Sequence, residues 1–173
     1  YSLQAIAQVV RVVPNIEFRL IGCGDTIEAD RAILSLIDRL GISRYVKLLG
    51  SKPHRTTIEQ MFEADIFLHP SVTASSGDNE GGAPVAIIEA SAVGLPIVST
   101  MHADIPEVVR NGETGWLVPE RNSDLLAKKL LDFINFPEKR ILFGRAGREY
   151  VSSEYNLSIQ MKKLEEIYSR IIR

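Results

Sequence analysis

Residues Ile66-Phe-Leu-His69, Ser71-Val-Thr-Ala-Ser-Ser-Gly-Asp-Asn-Glu-Gly-Gly-Ala-Pro84, Val85-Ala-Ile-Ile-Glu-Ala-Ser-Ala-Val-Gly94 and Pro96-Ile-Val-Ser-Thr100 decide the fold. The first and last read as short apolar strands, the first stopped by Pro70. Between them a polar loop feeds a helix that opens at Pro84 and stops near Gly94. A strand, a helix and a second strand in that order make a parallel pair with a crossover.

The same alternation continues outward in both directions. Upstream, Leu3, Ile6, Ala7 and Val10 set a helix over 2–12. Pro14-Asn15 breaks it, and Ile16–Ile21 alternates as a strand ending at Gly22. Residues 28–40 place Ala29, Ile33, Leu36, Ile37 and Leu40 on one helical face, with Gly41 as a stop. Val46–Leu49 is a strand, and Thr57 with Gln60 reads as a capping box for a helix through Ala64. Downstream come a helical turn over Ile105–Arg110, a strand over Trp116–Val118, and helices over 123–136, 138–152 and 157–172. Helices alternating with strands predict an α/β domain: a doubly wound, Rossmann-like parallel sheet with helices on both faces.

The 173 residues suit one domain, with no linker or repeat. A net charge of −2, from 20 basic and 22 acidic residues, offers nucleic acid no electrostatic footprint. No apolar run is long enough to span a bilayer. The single cysteine, Cys23, cannot form an internal disulfide, which favours a reducing, cytoplasmic setting. The chain opens at Tyr1 directly into a helical pattern, so it is read as one domain, 1–173, cut from a longer protein.

Function in doubly wound sheets gathers outside the carboxyl ends of the strands. The richest loop there is Ser71–Pro84, with Gly77, Gly81, Gly82, Asp78 and Glu80. Gly81-Gly82 allows close backbone approach, and the helix opening at Pro84 and Val85 points free N–H groups at the same place. That combination suits a diphosphate; a mobile surface loop is the competing reading. Glu89, amid Ile87, Ile88, Ala90 and Ala92, could accept from a ribose diol or sit on a solvated face. Gly22-Cys23-Gly24 makes only a weak dinucleotide fingerprint, because Ile27 stands where the third glycine belongs. His54, His69 and His102 have no metal spacing and read as structural or surface groups; no metal site is expected.

The segment Glu80-Gly-Gly-Ala-Pro-Val-Ala-Ile-Ile-Glu89 through Thr100 resembles the signature of retaining glycosyltransferases of the group-1 (family 4) type. The resemblance extends to Ala64-Asp65, His69-Pro-Ser71, Ile105–Val109, Asn111–Pro119, Gly147-Arg148 and Leu164…Tyr168. It implies a GT-B enzyme of two facing domains, of which this chain is the carboxyl-terminal, donor-binding one. It assigns Glu80 the catalytic place, with the Gly81, Gly82 and Ala83 backbone on donor sugar and diphosphate, and Glu89 on the ribose. Ser51 and Lys52 would meet the base. Most relatives enclose seven residues between the two glutamates; here eight intervene, the extra one within Gly81–Ala83. The resemblance also implies an Arg and Lys pair before the first helix, expected just upstream of Tyr1.

The implied substrate is a UDP- or GDP-linked sugar, with no cofactor. The implied partners are an amino-terminal domain of the same protein and, through it, an acceptor sugar or lipid-linked sugar, which would bring the whole protein to the membrane periphery. The implied reaction is retaining transfer to an acceptor hydroxyl in polysaccharide or glycolipid synthesis, with this chain inactive alone. A nucleotide-sugar epimerase of GT-B fold and a non-catalytic nucleotide-sugar-binding module are the alternatives.

Overall fold

The structure is a computed structural model that describes residues 1–22, 24, 26–79 and 81–171. The elements run α1 (Ser2–Val12), β1 (Phe18–Ile21), α2 (Ile27–Arg39), β2 (Val46–Gly50), α3 (His54–Phe62), β3 (Phe67–His69) and α4 (Val85–Val93). They continue with β4 (Ile97–Thr100), α5 (Ile105–Val108), β5 (Gly115–Val118), α6 (Ser123–Asn135), α7 (Pro137–Glu154) and α8 (Leu157–Ile171). A 3-10 turn at Ser43–Tyr45 precedes β2. The expected α/β order holds from end to end. The end of the last helix at residue 172 lies outside the described residues.

All strand pairs are parallel, in two ladders: β1 with β2, and β3–β4–β5. Side chains alternate across β4 and β5, and that alternation splits the core into two layers. Val98 and Val118 face α1 and α6, where they join Ile6, Val10, Leu126, Leu130 and Phe133. Ile97 and Leu117 face the other way, toward Met61, Ile87, Ala90, Ile105 and Val108 of α3, α4 and α5. Helices therefore cover both faces, as a parallel sheet requires.

The capping box expected at Thr57 is not formed. α3 begins three residues earlier, at His54, because Pro53 already holds φ at −56° and starts the chain into the helix. Thr57 lies inside the helix and its hydroxyl turns back to the Pro53 carbonyl at 3.4 Å. Pro84 similarly stands just before α4 rather than in it. α8 differs from the other long helices, for none of its described residues is buried. Leu157, Met161, Leu164, Ile167, Tyr168 and Ile171 form its exposed apolar stripe.

Candidate functional site

The segments after the carboxyl ends of β2 and β3, together with α4, carry every described residue of the predicted site. After β2, Ser51 and Lys52 are exposed and lead through Pro53 into α3. After β3, the long loop reaches Gly81 and Gly82, both exposed and left-handed at φ 60° and 30°. No atom crowds the place where a Cβ would sit on either glycine, so conformation, and not space, requires them. Ala83 and Pro84 are half-buried, Ala83 against the core layer under α4, while Val85 is exposed at the helix start. Glu80 lies outside the described residues, as does Cys23.

The start of α4 is open. α2 is capped by the Thr26 hydroxyl, which accepts from the Ala29 N–H, and α6 by Asn122, which accepts from Leu125. α4 has no side-chain cap and no acid in its first turn. Its leading N–H groups and the positive end of its dipole are left to solvent or an anion. Ahead of it, the Gly81 N–H donates to Asn79 Oδ1 at 3.0 Å. An incoming ligand would have to displace that bond to use this donor.

Glu89 is neither sealed in the core nor fully solvated, with about a quarter of its side chain exposed (26%). Its Oε1 lies 2.6 Å from His54 Nε2, at the first residue of α3. This contact joins the helix carrying Glu89 to the segment just after Ser51 and Lys52, so the two halves of the predicted nucleoside site meet. A carboxylate has room for several donors beyond this one.

Behind the loop lies a network that sequence reasoning missed. His102, after β4, is 5% exposed; its Nδ1 lies 2.7 Å from Glu120 Oε1, after β5. Its Nε2 lies 3.1 Å from the Asn79 carbonyl. The Thr73 N–H donates to Glu120 Oε2 at 3.0 Å, and Arg121 donates to the Thr73 carbonyl. The hydrogen bond from His102, with the Thr73 N–H next in size, holds the Glu120 carboxyl below the usual carboxylate range. Ser99 and Thr100 add hydroxyl bonds to the carbonyls of His69 and Ser71, at 2.6 and 2.5 Å. The signal for these contacts was absent from local sequence, since the partners are 18 to 48 residues apart.

Elsewhere, a cleft of about 410 Å³ lined by Trp116, Lys128, Lys129, Asp132, Asn135 and Lys139 opens where α6 ends. α6 runs back from the carboxyl end of β5, so this cleft lies toward the amino ends of the strands. Among the described residues, no three His, Cys, Asp or Glu side chains come together as a metal site. No helix among them is long and apolar enough to cross a membrane.

Known proteins match this arrangement. The family profile "Glycosyl transferases group 1" covers residues 1–150. The amylovoran biosynthesis glycosyltransferase AmsK of Erwinia amylovora is 41% identical over 155 residues, 90% of this chain and 37% of AmsK. A GDP-mannose-dependent monoacylated alpha-(1-6)-phosphatidylinositol monomannoside mannosyltransferase of Corynebacterium glutamicum is 28% identical over 165 residues, 95% of this chain and 42% of that one. The crystal structure of Anabaena Alr3699/HepE in complex with UDP-glucose superposes with a TM-score of 0.84 at 23% identity, over 98% of this chain and 44% of that one. The chain spans about two fifths of the length of the curated relatives it matches.

Proposed function

The chain belongs to the group 1 glycosyl transferases, with the GT-B type of fold, and from that premise we propose that it is the donor-binding domain of a retaining, family 4 glycosyltransferase. The donor is a nucleoside-diphosphate sugar, UDP- or GDP-linked. The acceptor is a hydroxyl on a growing polysaccharide or glycolipid, presented by a second, amino-terminal domain of the same protein. The place of work is the cytoplasm, at the membrane periphery when the acceptor is lipid-linked.

The observation that carries this reading is the uncapped start of α4, preceded by Gly81 and Gly82, on the helix that carries Glu89, whose partner His54 begins α3. A diphosphate at the helix start would receive backbone N–H groups and the positive dipole end. One turn further on, Glu89 would accept from the ribose hydroxyls, and Ser51 and Lys52 would flank the base. Glu80 takes the catalytic place by resemblance. Charge on the departing diphosphate would be met by preorganised backbone donors, which lowers the barrier without a protein nucleophile. UDP in an Anabaena structure of the same fold and GDP-mannose in a Corynebacterium relative's name support the donor class. Transfer needs both domains, so the chain alone is expected to bind donor and transfer nothing.

A thermal-shift screen against UDP-, GDP- and ADP-sugars, followed by calorimetry on Glu89→Ala, tests the reading. Removing hydrogen bonds to a charged acceptor should weaken donor binding by about 1.5–3 kcal/mol, roughly ten- to a hundredfold in Kd. Unchanged affinity in Glu89→Ala overturns the ribose assignment.

A further inference from the structure

Two feet of the donor loop rest on one pair, a buried histidine and a half-buried glutamate. Near its start, Thr73 gives its N–H to Glu120 Oε2, with the Thr73 hydroxyl 3.4 Å from Oε1. Near its end, the Asn79 carbonyl faces His102 Nε2. Between the feet the loop closes on itself, with the Ala74 N–H on the Asp78 carbonyl at 2.7 Å and the Gly77 N–H on the Ala74 carbonyl at 2.9 Å. His102 and Glu120 are themselves joined, so the loops after β3, β4 and β5 meet at this pair.

The chemistry of the ring's partners is one-sided. A backbone carbonyl can only accept, and so can an ionised carboxylate. Glu120 is kept ionised by the donors around it. Each nitrogen of His102 stands where it can donate to one of these two acceptors. Ala103 and Arg121, the residues directly after His102 and Glu120, are the two non-glycine residues with left-handed φ among those described, at 44° and 61°. Such conformations cost roughly 1–2 kcal/mol each and persist only where surrounding contacts enforce them.

Asn79 is the pivot. Its carbonyl is held by His102, and its side chain holds the Gly81 N–H. Gly81 and Gly82 follow, then the open start of α4. We propose that His102 is a positioning residue for the donor site: by donating to both Glu120 and the Asn79 carbonyl, it sets where the Gly81–Gly82 backbone stands relative to the start of α4. This rests on the donor-site reading of that backbone. It assigns a role to a residue that acts through the loop backbone.

The two donations can be separated. In His102→Asn the amide nitrogen stands near the Nδ1 position and reaches Glu120 alone. In His102→Gln it stands near the Nε2 position and reaches the Asn79 carbonyl. Both variants, with wild type and Glu89→Ala, are made in the full-length polypeptide that carries this chain. Amide hydrogen exchange over residues 73–79 is measured without donor, and Kd is measured for UDP-glucose and GDP-mannose. Imidazole nitrogen spectra of the wild type should show both His102 nitrogens protonated at neutral pH. His102→Asn should exchange faster at 73–79 and bind the accepted donor about tenfold or more weakly, whereas His102→Gln should restore most of both. Should His102→Asn unfold, loss of binding in a folded His102→Gln equal to that of Glu89→Ala overturns the proposal. So does wild-type exchange at 73–79 in His102→Asn, or a ring with one bare nitrogen. If exchange rises in His102→Asn while Glu89→Ala binds both donors as wild type does, the latch stands and the donor-site assignment falls.

Discussion

Every residue of β4 is buried, whereas no residue of β1 is, and Lys47 and Leu48 in the middle of β2 are exposed. Both ladders are parallel, and β1 and β2 each carry one basic residue, Arg19 and Lys47, where β4 and β5 carry none. Position separates them as well. β4 has a hydrogen-bonded strand on each side and a helical layer on each face, while β1 is bonded to β2 alone. The groups that must be placed finely hang from the buried ladder: the donor loop, Glu89, His102 and Glu120. Ser51 and Lys52, which would lie along a flat base, hang from the looser one. The His54–Glu89 contact ties the two regions at the site, and Phe18 and Val46 share a core cluster with Val98 and Val118.

If the buried ladder is the rigid part, damage to its packing should cost most. Phe133 is wholly buried and lies against Trp116 and Phe143, with ring centroids 6.4 and 5.2 Å away. Phe133→Ala should lower unfolding free energy by about 3–5 kcal/mol in denaturant titration. A loss under about 1 kcal/mol would mean this layer is loosely packed.

Gly144 of α7 gives the next test. A Cβ there would stand 2.0 Å from the Gly94 carbonyl oxygen, at the end of α4. Backbone cannot step aside as a long side chain can, so Gly144→Ala should push α7 off α4 and destabilise by about 1–3 kcal/mol. Because α4 carries Glu89, donor affinity should fall with it. Calorimetry on the folded variant reads this, and full affinity would show that α4 is held without α7.

A smaller effect appears only in alkali. Tyr155 packs beneath the buried ladder, and its hydroxyl and that of Tyr150 both donate to the Glu107 carbonyl, at 2.8 and 2.7 Å. Burial, then the neighbouring Tyr150, pushes the Tyr155 phenol up from 10.0 to about 12. The folded state favours the neutral phenol, so this contribution is complete below pH 10.0 and is lost as pH rises through about 12. Phenolate absorbance should show one tyrosine titrating after the rest, and the delay should vanish in Tyr155→Phe.

The smallest effect is expected in the looser ladder. Leu48 is a strand residue, yet 44% exposed. Leu48→Ala should cost less than about 1 kcal/mol in the same denaturant titration. A loss equal to that of Phe133→Ala would erase the contrast between the ladders.

The sequence by itself determined the α/β alternation, nearly every element, and the family, because these rest on local periodicity, helix stops and a contiguous signature. Gly94 after α4 and Gly41 after α2 were readable for the same reason: each acts on its own backbone. The glycines of the donor loop and the helix that follows it were legible as an anion-binding pattern, and Glu89 as the odd carboxylate of an apolar helix. Only the tertiary structure decided which groups meet that carboxylate and that loop. His54 had no local mark of a partner 35 residues away, nor had His102 any mark of Glu120 and Asn79, 18 and 23 residues distant. It also decided that Gly144 must be glycine, which depends on how closely two helices approach, and that β4 is sealed while β1 is not. Period and propensity act within a few residues of chain; burial and pairing depend on what the fold brings alongside, and that is set by the packing of the whole sheet.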